Sequence, residues 1–374
     1  MVHKEGRRWG ATVVARLRWG RQLREARKDV ATHRGQAEAD ADPRYRLALT
    51  RSLRELGELL AKVDRPAEGL PHVEEAVSIC RPLADVELAR HRALLAECLG
   101  TLGELLTTLV RPVAAQAARD EALALKKEPG EIVAFYRDLA EADPDRRPAL
   151  AAALYYQAAW LKDHDRRAEA LPFLEESIAL RREPVEAEAE PLLRRIALAR
   201  SLCLLGEILG QLDRPADGLP YIEEAVALGR DRAAADADPR RGIGLALFLR
   251  GLVRLLLQLD RPEEALPFAR ETVERWRRVS EAHADDRRYR AGLALSLHTL
   301  GEILAKLDRP AEGLPFAQEA VDLHRACVGL LGSHHLAGAL QTLGDVLAAL
   351  DRPAEAQMAR DEATVLGETE PETP

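Results

Sequence analysis

From Leu293 the apolar residues fall at Leu293, Leu297, Leu300, Leu304 and Leu307, in steps of 4, 3, 4 and 3. Such steps keep one stripe of a 3.6-residue helix apolar and leave the other faces polar. The same steps run through Leu49, Leu53, Leu56, Leu60 and Val63, and through Leu336, Leu340, Leu343, Leu347 and Leu350. Each stripe ends in a short turn with Asp, Arg and Pro. A second amphipathic stretch follows, the first running from Pro66 to about Cys80. Proline suits the first position of a helix, where its missing N–H costs nothing, and the Asp beside it is expected to complement the helix dipole. The pattern therefore predicts pairs of helices. Runs of β-branched and aromatic residues are nearly absent, so no sheet is expected.

The pairs repeat. LGELLAKVDRPAEGLPHVEEAV begins at Leu56 and returns as LGEILGQLDRPADGLPYIEEAV at Leu205 and as LGEILAKLDRPAEGLPFAQEAV at Leu300. With the Arg of the turn as marker, units fall at Arg65, Arg111, Arg166, Arg214, Arg261, Arg309 and Arg352, spaced by 46, 55, 48, 47, 48 and 43 residues. Seven units thus cover nearly everything after residue 43. Neither helix of a pair can bury its apolar face alone, so neighbours must stack.

Within the units a large residue recurs on the first helix at Leu53, Leu99, Leu154, Leu202, Leu249, Leu297 and Leu340. A small residue follows at Gly57, Gly103, Ala158, Gly206, Gly301 and Gly344, with Val253 as the departure. The second helix has small residues at Gly69, Ala115, Ala170, Gly218, Ala265, Gly313 and Ala356, and again at Ala76, Ala122, Ser177, Ala225, Thr272, Ala320 and Ala363. This pattern resembles the tetratricopeptide repeat family over about 320 residues. The resemblance implies an all-α, right-handed superhelical solenoid of antiparallel helix pairs. The period, near 47 residues, exceeds the family's usual value of about 34. The surplus lies around Asp143-Pro144 and Asp238-Pro239. In this the chain is similar to the longer-helix bacterial arrays of the family, which often stand beside a nucleotide-switch or caspase-like protease domain. No such domain is present in this sequence.

The 55-residue spacing marks a joint. Units two and seven share an ending, VAAQAARDEALAL after Pro112 and AEAQMARDEATVL after Pro353, with Arg119 and Arg360 where the family pattern has a packed apolar residue. A polar last face is what a terminal repeat needs. Glu128, Pro129 and Gly130 then stop the helix, and the stretch from Glu131 reads as an unpaired second helix opening a new array. The expected organisation is a basic helix or tail over residues 1–29, a first array over 30–127, a second over 131–366 and a disordered tail over 367–374. The rival reading makes unit two merely degenerate. A second proline supports the caps: Pro71, Pro172, Pro220, Pro267 and Pro315 recur six residues after the marker, whereas units two and seven have Ala117 and Met358. Proline beyond the first turn removes a helical hydrogen bond, so a bend or a loosened first turn is expected in those five helices alone.

Composition adds limits. Net charge is −8, which argues against a general nucleic-acid binder. Residues 1–28 hold nine Lys or Arg against two Glu, about +7, so the remainder is near −15. That basic segment, with Trp9, Leu17, Trp19 and Leu23, is suited either to an anionic surface or to a capping role. Cys80, Cys98, Cys203 and Cys327 form no CxxC pair, which fits packed free thiols in a reducing compartment. No apolar run reaches the length of about 20 residues that spans a bilayer, and no secretory signal is visible, so a cytoplasmic location is expected.

The chemistry-bearing motifs of phosphate loops, metalloproteases and serine hydrolases are missing, so neither catalysis nor a cofactor is expected. His324, Cys327, His334 and His335 read as surface histidines and a packed thiol, the rival being a metal site. The resemblance implies that first helices line a concave groove. Its candidate residues are Glu58, Glu104, Glu207, Glu302 and Asp345, with Ala159 and Arg254 interrupting, and Arg54, Tyr155, Arg250, His298 and Gln341 one turn earlier. A carboxylate ladder favours a basic or mixed-charge peptide. The plainer reading is pairing on a solvated face, Glu58 with Lys62 and Glu302 with Lys306. An acidic ladder also argues against the family's clamp for terminal carboxylates, which uses Asn there. Tyr155, Tyr156, Trp160 and Lys162 form an aromatic cluster in unit three, either a hot spot or a plug at the joint. The expected function is a scaffold binding a partner protein or peptide; the alternative is the regulatory sensor subunit of a separately encoded NTPase or protease.

Overall fold

The computed structural model describes residues 2–40, 42–183, 191–234 and 242–368. Among these, every regular element is helical. Two compact units divide at Ala197 and Leu198. The first holds α1 (Val2–Ala39), α2 (Pro43–Lys62), α3 (Pro66–Val86), α4 (Leu88–Thr108), α5 (Pro112–Ala124), α6 (Pro129–Ala142), α7 (Arg147–Asp163) and α8 (Arg167–Arg182). The next helix, α9 (Pro191–Gln211), crosses the division. The second unit continues with α10 (Pro215–Ala234), α11 (Ile243–Gln258), α12 (Pro262–Ala282), α13 (Arg287–Lys306), α14 (Pro310–Leu331), α15 (Ser333–Ala349) and α16 (Pro353–Glu368). The long period is spent on long helices. The second helix of unit one does not stop near Cys80 but continues to Val86, because Cys80, Leu83 and Ala84 extend its buried stripe. Unit boundaries expected near residues 29 and 128 fall inside α1 and at the α5–α6 turn. Of the 367–374 tail, residues 369–374 lie outside the described residues, as does Asp238-Pro239.

The Asp-Arg-Pro turn works differently from the expectation. Asp64, Asp165, Asp213, Asp260, Asp308 and Asp351 all have φ between 55° and 62°, the left-handed region, and in unit two Val110 takes it at 57°. The Asp therefore ends the first helix instead of starting the second. Asp64 N–H donates to the Ala61 carbonyl at 3.0 Å and Arg65 N–H to Leu60 at 2.9 Å, the paired bonds of a Schellman cap. Asp tolerates this backbone better than most residues with a Cβ. The second helix has Arg65 at its N-cap with no side-chain cap bond. Arg65 instead reaches forward to Glu68 at 2.6 Å, as do Arg166 to Glu169, Arg261 to Glu264 and Arg352 to Glu355. Two first helices, α2 and α13, start on a true cap: Asp42 accepts from Arg44 N–H at 2.8 Å and Asp286 from Arg288 N–H at 3.0 Å.

Small residues let the paired helices touch. A Cβ on Gly57 would lie 2.2 Å from Val73 Cγ2, and one on Gly206 would lie 2.4 Å from Ile222 Cγ1. Val253 departs from the pattern, and its opposite position, eight residues after the marker, is Ala269 where unit one has Val73. Bulk is thus exchanged across the interface. In units two and seven that position is Arg: the stems of Arg119 and Arg360 lie over Gly103 and Gly344, each with Cγ 2.9 Å from where a Cβ would be. Their heads bond Thr107 Oγ1 at 2.6 Å and Asp345 Oδ1 at 2.8 Å. Each Arg thus packs an apolar stem over the glycine while its head stays solvated.

The second proline does not break its helix; α3, α8, α10, α12 and α14 each run through it. The first turn is looser. The bond from the fourth residue after the marker back to the marker carbonyl is 3.0 Å in α5 and α16, and 3.1–3.3 Å in α3, α10, α12 and α14. Glu68, Glu169 and Glu312 also donate in the tighter three-residue pattern. One missing N–H is absorbed by a small adjustment of the turn before it.

Candidate partner-binding site

Second helices of successive units are tied by one recurring ion pair. Arg34–Glu75 (2.6 Å), Arg81–Glu121 (2.9 Å), Arg137–Glu176 (2.8 Å), Arg230–Glu271 (2.8 Å), Arg277–Glu319 (2.6 Å) and Arg325–Glu362 (2.7 Å) each join a second helix to the one before it. In this register α1 and α6 occupy the place of preceding second helices. α1 packs there through its later turns: Leu23 and Val30 join the core, and His33 bonds Ser52 at 2.7 Å. The first unit also carries a buried polar knot. Glu121, 5% exposed, is held by Arg81 and by the Tyr136 hydroxyl at 3.3 Å, and burial raises its pKa.

The candidate residues lie on the first helices of each unit. Glu58 is half-buried and bonded by Arg54, not by Lys62; Arg54 also reaches Glu97 at 3.5 Å. Glu207 meets Arg254 at 3.6 Å, Glu302 meets Lys306 at 3.1 Å, and Asp345 accepts from Arg360 at 2.8 Å and from Gln341 at 3.3 Å. Glu104 is exposed, with no ion pair among the described residues. The carboxylate series is thus largely paired within the chain. Tyr155, Trp160 and Lys162 are half-buried on α7. Trp160 stacks on His164 at 4.0 Å, while Tyr156 carries Arg92 over its ring at 5.0 Å and packs against the first unit's core. The structure therefore separates Tyr156, which packs against that core, from Trp160 at the end of its helix.

Of the histidines, His334 is exposed and His335 half-buried, but His324 is not at the surface. His324 is 1% exposed, and neither ring nitrogen has a hydrogen-bond partner. It sits between His298 of α13, centroids 6.0 Å apart, and His335 of α15, 6.1 Å apart, with His334 4.1 Å beyond His335. The stripe of α14 turns His324 inward with Val321 and Cys327, which sequence spacing alone did not separate from a surface position. Burial, aided by its neighbours' charge, lowers the His324 pKa to about 4; burial likewise lowers those of His298 and His335. Among the described residues no group of three or more His, Cys, Asp or Glu is placed to hold a metal ion. All four cysteines are free and buried, and burial pushes Cys80 and Cys98 up to about 12. No helix among the described residues is long and apolar enough to cross a membrane.

Helix pairs with Gly-lined crossings, one left-handed turn per pair and ion-paired second helices define a helical-repeat protein. Residues 245–285 match the sequence model of a family described as Tetratricopeptide repeat. The crystal structure of BtubC (BKLC) from P. vanneervenii aligns with a TM-score of 0.52 at 17% identity, covering 66% of this chain and 92% of that one. The apo form of the quorum sensor NprR from B. thuringiensis aligns with a TM-score of 0.45 at 15% identity, covering 94% of this chain and 84% of that one. No curated protein matches the chain in sequence. The unit-by-unit pattern, the matched segment and the fold together identify a repeat protein of tetratricopeptide type.

Proposed function

We propose that the chain is an interaction scaffold and that a partner segment lies along the face of its first helices. The observation that carries this is where the units differ. Three residues before the small position the side chains are Arg54, Gly100, Tyr155, Cys203, Arg250, His298 and Gln341. The next position is as varied, with Glu55, Thr101, Tyr156, Leu204, Gly251, Thr299 and Thr342. Core positions are held alike by packing and second-helix positions by the Arg–Glu ties, so neither explains the diversity along the first helices. Varied size, charge and hydrogen-bonding capacity along these helices is what recognition of one particular segment needs.

The expected partner is a protein or peptide of mixed charge, because most carboxylates on this face already have a cation. The test replaces Arg54, Tyr155 and Gln341 together by Ala. Helical content should stay unchanged while affinity for a partner recovered with the intact chain falls at least tenfold. Unchanged affinity in the folded triple variant would move the binding face elsewhere.

A further inference from the structure

We propose that residues 2–18, the opening turns of α1, attach the chain to the surface of an anionic lipid bilayer. Trp9, Val13 and Leu17 enter the interface, and Lys4, Arg7, Arg8 and Arg18 meet the headgroups. This goes beyond the scaffold reading and does not depend on where the partner segment lies.

The first ground is length. Arg81, Arg230, Arg277 and Arg325 of the recurring tie each stand 15 residues after the proline that opens their helix, Pro66, Pro215, Pro262 and Pro310. Arg34 makes the same tie to Glu75, so the register of the repeat opens the equivalent helix at Trp19. α1 instead starts at Val2. The extra residues add about 25 Å of helix at 1.5 Å each. No other second helix is extended in this way. Leu23, Val30, His33 and Arg34, which fix α1 to its unit, lie after Trp19.

The second ground is the sequence pattern of the extension. Val2, Trp9, Val13 and Leu17 recur at steps of 7, 4 and 4, one stripe of a helix. Lys4, Arg7, Arg8 and Arg18, with Ala11 and Ala15 between them, follow the opposite side, and Glu5 and Arg16 stand at the border. By sequence spacing, at about 100° per residue, the apolar stripe lies about 100° round the helix from Leu23 and Val30. It is thus a second stripe and does not prolong the one that packs on the first unit. A helix with Lys and Arg on one face and Trp and Leu on the other lies in the plane of a membrane interface.

The third ground is charge. Residues 2–18 hold five Lys or Arg against one Glu, in a chain whose net charge is −8. An anionic surface therefore attracts this segment and repels the rest, which confines the contact. Nucleic acid would use the cations and leave the apolar stripe in water; lipid uses both. No helix among the described residues crosses a bilayer, so the attachment is to one leaflet.

The test is co-sedimentation of the full chain with vesicles of phosphatidylcholine alone and of phosphatidylcholine with phosphatidylserine. The chain should pellet with the phosphatidylserine vesicles, be released by high salt, and stay in solution with phosphatidylcholine. Each Lys or Arg near an anionic leaflet is worth about fivefold in binding, so Arg7→Gln with Arg8→Gln should weaken it roughly twentyfold. Trp emission should shift to the blue on adding the anionic vesicles, and Trp9→Phe should remove most of that shift. Both variants should keep their helical content without lipid, because the substituted residues precede the register of the repeat. The Arg54, Tyr155 and Gln341 triple variant should pellet like the intact chain, which separates this inference from the scaffold reading. Equal pelleting with phosphatidylcholine, pelleting unchanged by Arg7→Gln with Arg8→Gln, or tighter binding to duplex DNA than to the vesicles would each overturn the proposal. Salt-sensitive self-association that this double variant abolishes, with no vesicle binding, would also overturn it and make a second copy the occupant.

Discussion

Gly206 and Gly301 occupy the same position in the repeat, yet the same substitution should act on them in opposite directions. Both are buried in the middle of a first helix, α9 and α13, within the second unit. Ala favours a helix interior over Gly by about 0.8–1 kcal/mol. At Gly301 an added Cβ would meet Ala317 Cβ at 3.5 Å, ordinary van der Waals contact, so the propensity gain survives and Gly301→Ala should stabilise by about 1 kcal/mol. At Gly206 the Cβ would lie 2.4 Å from Ile222 Cγ1 and 2.8 Å from the Gly218 carbonyl oxygen. Ile222 can turn, but the carbonyl belongs to the backbone of α10 and cannot give way without moving that helix. Overpacking costs about 1–3 kcal/mol, and the rigid neighbour puts this site near the upper end. After the propensity gain, Gly206→Ala should destabilise by about 1–2 kcal/mol. Urea unfolding followed by far-UV circular dichroism reads both as midpoint shifts at constant slope. Two shifts of the same sign would refute the reasoning that helix spacing, unit by unit, decides which residues can stand at this register.

Three further outcomes are expected. Val110 is a β-branched residue in the left-handed region, 84% exposed, where six sister units have Asp; Val110→Asp should stabilise the first unit by about 1 kcal/mol in the same urea assay. Arg81→Met leaves Glu121 buried beside Tyr136 and should cost about 3 kcal/mol, most of it recovered by adding Glu121→Gln; additive losses in the double variant would deny that the pair acts as one. Folding lowers the pKa of His324, so its neutral ring stabilises the second unit fully above about pH 6.5, and this contribution is lost as pH falls toward 4. The loss amounts to roughly 3 kcal/mol, and His324→Phe should flatten the stability–pH curve measured by urea unfolding between pH 7 and 4.5.

The helix pairs were legible because a 4-3-4-3 stripe, a proline-started helix and a recurring small residue are local signals that seven copies reinforce. The Arg substitutions were legible too, since Arg119 and Arg360 break an apolar position in the same way. What the pattern misassigned was the Asp of the turn. An acidic residue just before a proline reads as an N-terminal charge, and only the backbone angle shows it closing the preceding helix. The long-range partners were hidden for a different reason. Glu58 has Arg54 and Lys62 equally spaced about it in sequence, and the rotamer decides for Arg54. His298, His324 and His335 lie on three helices, and nothing in their spacing says that they converge. The Arg–Glu ties were recoverable, because the Glu stands ten residues after the marker in every unit that carries one.

The most direct measurement of the scaffold account is position-resolved photo-crosslinking in the native cell. A photoreactive phenylalanine analogue is placed singly at Arg54, Tyr155 and Gln341 on the first helices, and at Glu74, Arg270 and Gln357 on the exposed side of second helices. The account predicts that one and the same partner is captured from first-helix positions in both units and not from the second-helix positions. Capture from second-helix positions alone would contradict it.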